Sequence, residues 1–379
     1  MDKIIIKIIN NDREFKSLRD EWIQLSVESD ANPLFLSWEW QYTWWKTWSE
    51  NLSLQLFLLT AYHDGKLIGV APLYIDNINI IKGVPIRRLQ FIGNAWRKAD
   101  TVRTEYLEFI ACSEYSRGVC EAFLKFISLS DCWDEFLICD LVESSPTFAA
   151  INNKDIIGNW HVFKRDSEAG VNIRTVGNFA HYLTTLGKNM RLKLFNRRKT
   201  IAEMGEVNVH SLNRSEVNQF FVYLNKFHQK RWGRECFSGQ SLDFHKSFIE
   251  RIEDDDRLKL SLIVFESKVV SVLYNIKMGN QIFNLQAGFI EDFNNKISLG
   301  TLHLGYSIEQ AFNDAKITSF DLLAGEGKNS FYKEKYKGEG VNFLTMQIVR
   351  KKRLKFLYKI FFILPKEYRN YLSKCLLSR

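Results

Sequence analysis

Apolar and polar residues alternate along this chain in two periods, and their order predicts the elements of the fold. Apolar residues three or four positions apart predict helices at residues 13–27 and 116–129. Short apolar runs on either side of a turn that contains glycine predict a β-hairpin at residues 54–74. Ser37 is a good N-cap for a following helix that is rich in tryptophan. A further apolar run at residues 135–141 predicts a strand.

The second half of the chain repeats this order of elements. The apolar pattern L-K-L-S-L-I-V-F opens a hairpin at residues 258–278 and resembles the L-Q-L-F-L-L-T-A of the first hairpin. A strand, a helix and a second strand are predicted after it, at residues 281–288, 299–313 and 317–323. Similarity at so long a period indicates a duplicated domain. The joint is expected between residues 165 and 178, where Asp166–Gly170 interrupts the apolar pattern.

The net charge is unevenly distributed along the chain. The 379 residues carry a formal net charge of +8. Residues 350–379 contain ten cations and one anion, a net charge of +9, so the preceding residues together carry −1. Binding to nucleic acid depends on neutralising phosphates, so a near-neutral body argues against a nucleic-acid partner. The tail mixes its cations with apolar residues, which fits peripheral contact with a membrane or a helix docked on the body.

Other features narrow the class of protein. The six cysteines form no Cys-x-x-Cys pair and do not cluster with the seven histidines, so no metal site is predicted. No window of about 18 apolar residues predicts a spanning helix. The first ten residues do not have the pattern of a signal peptide. We therefore expect a cytoplasmic protein, with the tail as a candidate contact to the inner membrane surface.

Four stretches of sequence carry a resemblance to a known family. They are Phe35–Trp40, Gly65–Leu73, Phe227–Trp232 and Phe320–Glu326, the last followed by Tyr332-Lys333. In this order and spacing they are similar to the duplicated acyltransferases of the GCN5-related (GNAT) superfamily, in the branch that groups CelD-like, BioF2-like and FemAB-like proteins. The resemblance implies an α+β fold of two tandem GNAT-like domains, each a mixed, mostly antiparallel sheet flanked by helices.

The resemblance also implies a different role for each domain. Residues 1–168 would form a degenerate N-terminal GNAT-like domain on the acceptor side. Residues 169–349 would form the C-terminal domain that binds acyl-CoA as co-substrate, and residues 350–379 a basic amphipathic tail. The acceptor would bind in the cleft between the two domains.

An acyl-CoA site needs groups that bind a pyrophosphate and polarise a thioester. A helix N-terminus offers unpaired N–H groups and the positive end of a dipole, and residues 298–301 open the predicted helix. The resemblance assigns the strand at 281–288 as the splayed strand of the superfamily, with an oxyanion donor near its end. The expected cofactor-binding residues are Gln286, Ala287, Ser298, Leu299, Gly300 and Thr301. An ordinary N-cap and an ordinary core strand are the alternatives.

The leaving thiolate needs an acid. In the superfamily a tyrosine in the segment Phe-Tyr-x-Lys-x-Gly-Phe supplies the proton, which carries over to Tyr332. Tyr336 occupies the place of the usual glycine, so both tyrosines are candidates, and both could instead pack a helix. Lys333 between them is expected to contact the substrate.

The acceptor amine needs groups that recognise it, and a base can remove its proton. Asp321 ends a strand beside the expected donor site, and His228 titrates near neutral pH, so both are candidate bases. Arg231 lies three residues from His228 on one helix face and suits a phosphate or carboxylate. A hydrogen-bonded structural role is the alternative for the histidine.

Substrate contacts are also expected in the first half of the chain. Glu105 and Tyr106 match an acidic and aromatic pair that the family often has there. Trp38 and Trp40 could stack on a base or a sugar, although tryptophans at helical spacing more often belong to the core.

These features lead to a functional hypothesis. The chain is expected to be an N-acyltransferase that moves an acyl group from acyl-CoA to the amine of a nucleotide-linked amino sugar, a dTDP- or UDP-sugar, for surface polysaccharide such as lipopolysaccharide. The alternatives are a FemAB-like transfer from aminoacyl-tRNA to a peptidoglycan precursor, and a non-catalytic scaffold associated with membranes.

Overall fold

The computed structural model describes residues 4–81, 84–96, 98–158, 160–325 and 332–363. Contacts between residues divide the chain into two compact units. Unit 1 comprises residues 1–168 and 342–379, and unit 2 comprises residues 169–341. Residues 342–349, which the resemblance assigns to the C-terminal domain, therefore group with unit 1, as do residues 350–363 of the tail.

The described elements, in chain order, alternate between strands and helices. The strands are β1 (Ile5–Ile9), β2 (Gln55–Leu56), β3 (Leu58–His63), β4 (Lys66–Ala71), β5 (Leu73–Ile81), β6 (Val84–Phe91), β7 (Ile110–Ala111), β8 (Glu135–Val142), β9 (His161–Arg174), β10 (Val207–Leu212), β11 (Leu258–Phe265), β12 (Lys268–Met278), β13 (Gln281–Phe289), β14 (Ser319–Ala324) and β15 (Glu339–Val349).

The α-helices are α1 (Asp12–Ser17), α2 (Arg19–Val27), α3 (Trp38–Trp48), α4 (Ser116–Leu129), α5 (Pro146–Ile151), α6 (Lys154–Ile157), α7 (Phe179–Thr185), α8 (Lys188–Arg191), α9 (Arg197–Met204), α10 (Val217–Trp232), α11 (Gln240–Arg251), α12 (Leu299–Asn313) and α13 (Lys352–Ile363). A π-helical segment, Leu192–Asn196, joins α8 to α9, and short 3-10 helices lie at Ser113–Tyr115, Arg214–Glu216, Asp255–Arg257 and Tyr332–Tyr336.

Unit 1 contains strands of two sheets. One has the order β1-β3-β4-β7, and in the other the strands follow the order β15-β8-β6-β5-β2. Only the β6–β8 pair in these orders is parallel among the described registers. The sequence predicts one strand over residues 67–74, but Pro72 separates β4 from β5. Proline has no N–H to donate, so the chain changes sheets at this residue.

The last described helix, α13, belongs to unit 1 and packs on it. Its Leu354 and Tyr358 are buried in a cluster with Ile86 and Val349, and Phe163 packs against the same cluster. This finding confirms a docked helix for the part of the tail that the structure describes. Among the described residues, no helix is both long enough and apolar enough to cross a bilayer.

Unit 2 is built on strands in the order β10-β11-β12-β13-β14-β9, in which only the β13–β14 pair is parallel. Helix α12 packs on this sheet together with the π-helical segment. A Cβ atom on Gly305 of α12 would lie 2.1 Å from the carbonyl oxygen of Leu194, so the two backbones touch and only glycine fits. The N-terminal half of α12 is covered by Ile201 of α9.

The predicted interruption at Asp166–Gly170 is wrong, because these residues lie inside β9. Backbone pairing overrides the local turn propensity there: Gly170 pairs with Ala324 of β14. The contact boundary between the units, after Glu168, falls within this strand. The predicted α+β class is confirmed, since each unit has a mixed, mostly antiparallel set of strands with helices packed against it.

Candidate active site

The candidate ligand-binding feature of unit 2 is the place where β13 and β14 stop pairing. The two strands pair in parallel over three residues, from Gln281↔Ser319 to Phe283↔Asp321, and no pairing is found beyond Asp321 in the described register. On the other side, the register of β13 with β12 shifts so that Leu285 is an extra residue. A bulge bends a strand and re-aims its side chains and backbone. Residues 284–287 are accordingly half-buried rather than buried. We call this region, residues 284–287 of β13 with residues 322–324 of β14, the β13–β14 opening.

A row of polar side chains supports the bulged strand from behind. Asn284 Nδ2 donates to Asn275 Oδ1 at 2.8 Å, and Asn275 Nδ2 donates to Ser307 Oγ of α12 at 3.0 Å. Asn275 is buried, so these hydrogen bonds replace those to water and fix the strand against the helix. Apolar periodicity does not predict this row. The signal in the sequence is a pair of asparagines at facing positions of the two strands.

The backbone of Ala287 is engaged by side chains. Its carbonyl accepts a hydrogen bond from His228 Nε2 at 3.2 Å, and its N–H donates to Gln286 Oε1 at 3.0 Å. The structure therefore brings together three of the residues singled out in the sequence. An oxyanion at the Ala287 N–H would have to replace the Gln286 side chain as acceptor.

His228 has the protonation state that a base requires. Burial on α10 lowers the pKa of His228 below its ordinary 6.5, and the charges of Arg231 and Arg234 lower it further. The ring is therefore neutral at pH 7. Because Nε2 donates to a carbonyl oxygen, the proton resides on Nε2 and the lone pair on Nδ1. Nδ1 is thus the atom that can accept a proton.

The N-terminus of α12 lies beside this strand. Ser298 does not cap the helix with its side chain; its hydroxyl lies 3.1 Å from that of Thr301. Leu302 N–H is bonded to the Ser298 carbonyl, so the amides before it are the terminal donors of the helix. A Cβ atom on Gly300 would lie 2.5 Å from the ring of Phe289, and this contact by itself requires glycine.

Arg231 is positioned by the same phenylalanine. Its guanidinium lies over the rings of Phe289 and Trp232, at 4.8 Å from each centroid, and its Nε is 3.0 Å from a Glu291 carboxylate oxygen. About a quarter of the Arg231 side chain is exposed. The Phe289 ring is therefore next to both the Arg231 guanidinium and Gly300 at the start of α12.

The end of β14 is held in an unusual conformation by two charged residues. Leu323 has a φ of +59°, which is strained for a branched side chain. The Asp321 carboxylate accepts from the Leu323 N–H at 2.7 Å. The Lys333 ammonium donates to the carbonyls of Leu322, Leu323 and Ala324 at 2.6–2.9 Å. We call Asp321 and Lys333 the Leu323 clamp. Both are buried, and these contacts shape the strand end that lines the opening.

The two candidate acids, Tyr332 and Tyr336, differ in their environments. Tyr336 is buried in the core cluster of unit 2, and its carbonyl accepts from Tyr182 at 2.9 Å. This placement favours the packing alternative for Tyr336. Tyr332 begins the 3-10 helix Tyr332–Tyr336, but its side chain lies outside the described residues.

The substrate-binding residues expected in unit 1 are largely internal. Trp38 and Trp40 are buried and donate to the Phe15 carbonyl and to Thr104 Oγ1, at 3.2 and 2.9 Å. Glu105 is buried 3.5 Å from Arg103. Tyr106 is half-buried, has a φ of +57° and meets Phe343 edge to face. These contacts favour core roles for the tryptophans, whereas Tyr106 keeps an accessible portion.

In the described part of the chain, no group of three or more histidine, cysteine or acidic residues is placed to hold a metal ion.

Comparison with known proteins identifies the site-bearing region. Residues 188–337 match a protein family described as acetyltransferase (GNAT) domain. No curated protein sequence matches the chain. Among solved structures, FemX has 12% identity and a TM-score of 0.61, and the alignment covers 93% of this chain and 99% of FemX. L-PGS from Bacillus licheniformis has 13% identity and a TM-score of 0.52, with 90% and 94% covered. A protein of unknown function from Bacteroides thetaiotaomicron VPI-5482 has 8% identity and a TM-score of 0.54, with 91% and 100% covered.

The predicted enzyme class, an N-acyltransferase, is confirmed by the match of residues 188–337 to an acetyltransferase (GNAT) domain. The solved structures align along nearly the whole chain and agree with the predicted fold of tandem domains. The matched domain contains β13, α12, β14 and the Leu323 clamp. At identities of 8–13%, similarity to the solved structures supports the fold alone.

Proposed function

We propose that unit 2 takes the acyl group from an acyl-CoA thioester and transfers it to the amine of a nucleotide-linked amino sugar, a dTDP- or UDP-sugar used for surface polysaccharide such as lipopolysaccharide. The observation that carries the proposal is the β13–β14 opening, a bulged strand beside the N-terminus of α12. The opening offers backbone groups to an extended ligand, and the helix N-terminus favours phosphate.

The chain's own residues supply the steps of the reaction. The amides at residues 299–301 and the guanidinium of Arg231 bind the pyrophosphate of the donor. The Ala287 N–H stabilises the oxyanion that forms when the amine attacks the thioester carbon. The new carbon–nitrogen bond forms as the carbon–sulfur bond breaks. His228 Nδ1 accepts the proton of the amine, and Tyr332 gives a proton to the departing thiolate.

The proposal for the acceptor rests on the net charge of the chain and on the exposure of the expected acceptor residues. Outside the tail the chain carries a net charge of −1, which suits a small molecule that brings few phosphates more than it suits a polynucleotide. Of the residues of unit 1 that are expected to contact the acceptor, Tyr106 keeps an accessible portion.

The test is an acyl-transfer assay with the full chain. A panel of acyl-CoA donors is combined with dTDP- and UDP-amino sugars, products are identified by mass, and CoA binding is measured by calorimetry. The expected result is a product 42 mass units heavier than the acceptor with acetyl-CoA, or the equivalent for another acyl group, as amide formation requires. No CoA binding together with no product from any donor overturns the proposal.

A second candidate is a FemAB-like transfer from aminoacyl-tRNA to a peptidoglycan precursor. The observation that favours it is a run of cations leading into α9, at Lys188, Arg191, Lys193, Arg197, Arg198 and Lys199. Such a run can bind the phosphates of RNA. Activity that requires charged tRNA and is lost on ribonuclease treatment would show that aminoacyl-tRNA is the donor in place of acyl-CoA.

A location at the inner surface of the cytoplasmic membrane is part of this proposal. The location is proposed because the tail is basic. The described part of the tail, helix α13, is considered separately below.

A further inference from the structure

Helix α13 presents two different faces. Leu354 and Tyr358 are buried against unit 1, and Tyr358 donates to the buried carboxylate of Glu135 at 2.5 Å. Roughly half a turn away, Phe356, Ile360 and Ile363 are exposed over 65%, 43% and 83% of their surfaces. These three residues are spaced four and three positions apart, so they form one stripe along the helix. We call them the outer stripe.

Cations flank the outer stripe. Lys352, Arg353 and Lys359 are exposed, and among the described residues none of them has a carboxylate partner. By contrast, the cations just before the helix are neutralised by unit 1: Arg350 pairs with Asp131 and Lys351 with Asp134. Helix α13 itself contains no acidic residue. The exposed side of the helix therefore combines apolar side chains with positive charges that no described carboxylate neutralises.

We propose that the outer stripe and its flanking cations bind an anionic lipid bilayer, with α13 lying in the interface and Leu354 and Tyr358 keeping it attached to unit 1. Apolar side chains enter the boundary between headgroups and acyl chains while the lysines and arginine meet anionic headgroups. A second copy of the chain is a poorer occupant, because two such helices face to face would bring cations against cations.

The test measures co-sedimentation of the full chain with lipid vesicles. The vesicles are phosphatidylcholine alone or phosphatidylcholine with one third phosphatidylglycerol, at low and high salt. Wild-type protein is expected to bind the anionic vesicles at least about tenfold more tightly, with weaker binding at high salt. The variant F356S/I360S/I363S is expected to lose about tenfold or more of that affinity.

Matched controls distinguish the effect of the outer stripe on vesicle binding from the effect of exposed apolar residues elsewhere. V27S/L129S/V222S removes three apolar side chains that are exposed elsewhere, at 78%, 77% and 58%, and is expected to bind like wild type. K352Q/R353Q/K359Q is expected to lose the preference for anionic lipid, and it changes surface side chains only, so it serves even if the serine variant fails to fold.

Three results would overturn the proposal. They are wild-type protein that binds neither kind of vesicle, a folded serine variant that binds as well as wild type, and a lipid-free dimer that the serine substitutions abolish, which would assign the stripe to a contact between copies. Acyl transfer is assayed in the same preparations with soluble substrates, so loss of vesicle binding with retained activity separates this inference from the proposed function.

Discussion

Among the strand registers that the structure describes, each unit has one parallel pair that extends over three residues, and the surroundings of the two pairs differ. In unit 1, β6 and β8 pair from Arg88↔Glu135 to Gln90↔Leu137. In unit 2, β13 and β14 pair from Gln281↔Ser319 to Phe283↔Asp321. Beyond the pairing, unit 1 continues with buried residues at 91–93, whereas residues 284–287 of unit 2 are half-buried. The same strand geometry thus forms a filled core in one unit and an opening in the other.

The buried polar groups differ in the same way. Unit 1 buries charge: Glu135 forms an ion pair with Arg88 and also accepts from Gln347 and Tyr358. In unit 2, neutral groups hold α12 to the sheet, and His303 lies between Ser261 and Ser271 at 2.9 Å from each hydroxyl. Burial lowers the pKa of His303 to about 3, so its ring is neutral at pH 7. An ion pair thus lies in the core of unit 1, whereas neutral hydrogen bonds hold α12 to the sheet of unit 2 and the buried charges of the Leu323 clamp lie at the opening.

The largest expected effect tests the filled core of unit 1. Glu135→Ala leaves the Arg88 guanidinium buried without its carboxylate, so the free energy of unfolding should fall by about 3–5 kcal/mol. Denaturant unfolding followed by tryptophan fluorescence measures it, because nine of the ten tryptophans lie in unit 1.

Two variants control this measurement. Asp131→Ala removes a carboxylate that is 91% exposed and should change stability by less than about 1 kcal/mol. The pair R88M/E135L replaces the ion pair with apolar groups and should restore part of the loss, because Gln347 and Tyr358 still lose their acceptor. If Glu135→Ala behaves like Asp131→Ala, the ion pair does not hold unit 1 together.

The next effect tests the opening of unit 2. His228→Gln should lower kcat/KM about 100-fold, because the proposed base is lost. Because burial lowers the pKa of His228 below its ordinary 6.5, the ring loses its proton below that pH, so wild-type activity should rise with pH at values under 6.5 and be level above it. The variant should lack this rise. The exposed His210→Gln is the control, and a pH profile that survives in His228→Gln would exclude the base.

A smaller effect tests the Leu323 clamp. Lys333→Met leaves three carbonyl groups at the end of β14 without their ammonium, and the expected loss is about 2–3 kcal/mol in unfolding free energy. Acyl transfer should fall with it, because the strand end lines the opening. Lys335→Met, at an exposed position of the same 3-10 helix, is the matched control. Equal stability of the two variants would show that the clamp does not act.

The smallest effect tests how α13 is attached to unit 1. Tyr358→Phe removes the hydrogen bond to Glu135 but keeps the ring, so stability should fall by about 1–2 kcal/mol. The half-buried Tyr115→Phe serves as the control for loss of a hydroxyl. Wild-type stability in Tyr358→Phe would mean that apolar packing alone holds the helix.

Much of the local structure could be predicted from the sequence. The helix expected at residues 299–313 is observed as Leu299–Asn313, and the hairpin expected at 258–278 is observed as β11 and β12. Both carry strong apolar periods, and a period depends only on neighbouring residues. The opposite holds for Asp166–Gly170, whose local signal is a turn but whose pairing partners make it a strand.

The candidate site was predicted less completely. Gln286, Ala287 and His228 do come together, since the strand and the helix that carry them pack side by side. The bulge at Leu285 and the positive φ of Leu323 have no local signature. Both exist because side chains distant in sequence, Asn275 and Lys333, supply the compensating hydrogen bonds.

The sequence by itself determined the order of elements, the duplication and the segregation of positive charge in the tail. Only the tertiary structure decided that β13 and β14 open while β6 and β8 close, that Tyr336 is internal, and that α13 docks with one face and exposes the other. The physical reason is burial. Periodicity shows which face of an element is apolar, but whether that face meets the core, a ligand or a membrane depends on contacts between residues far apart in the chain.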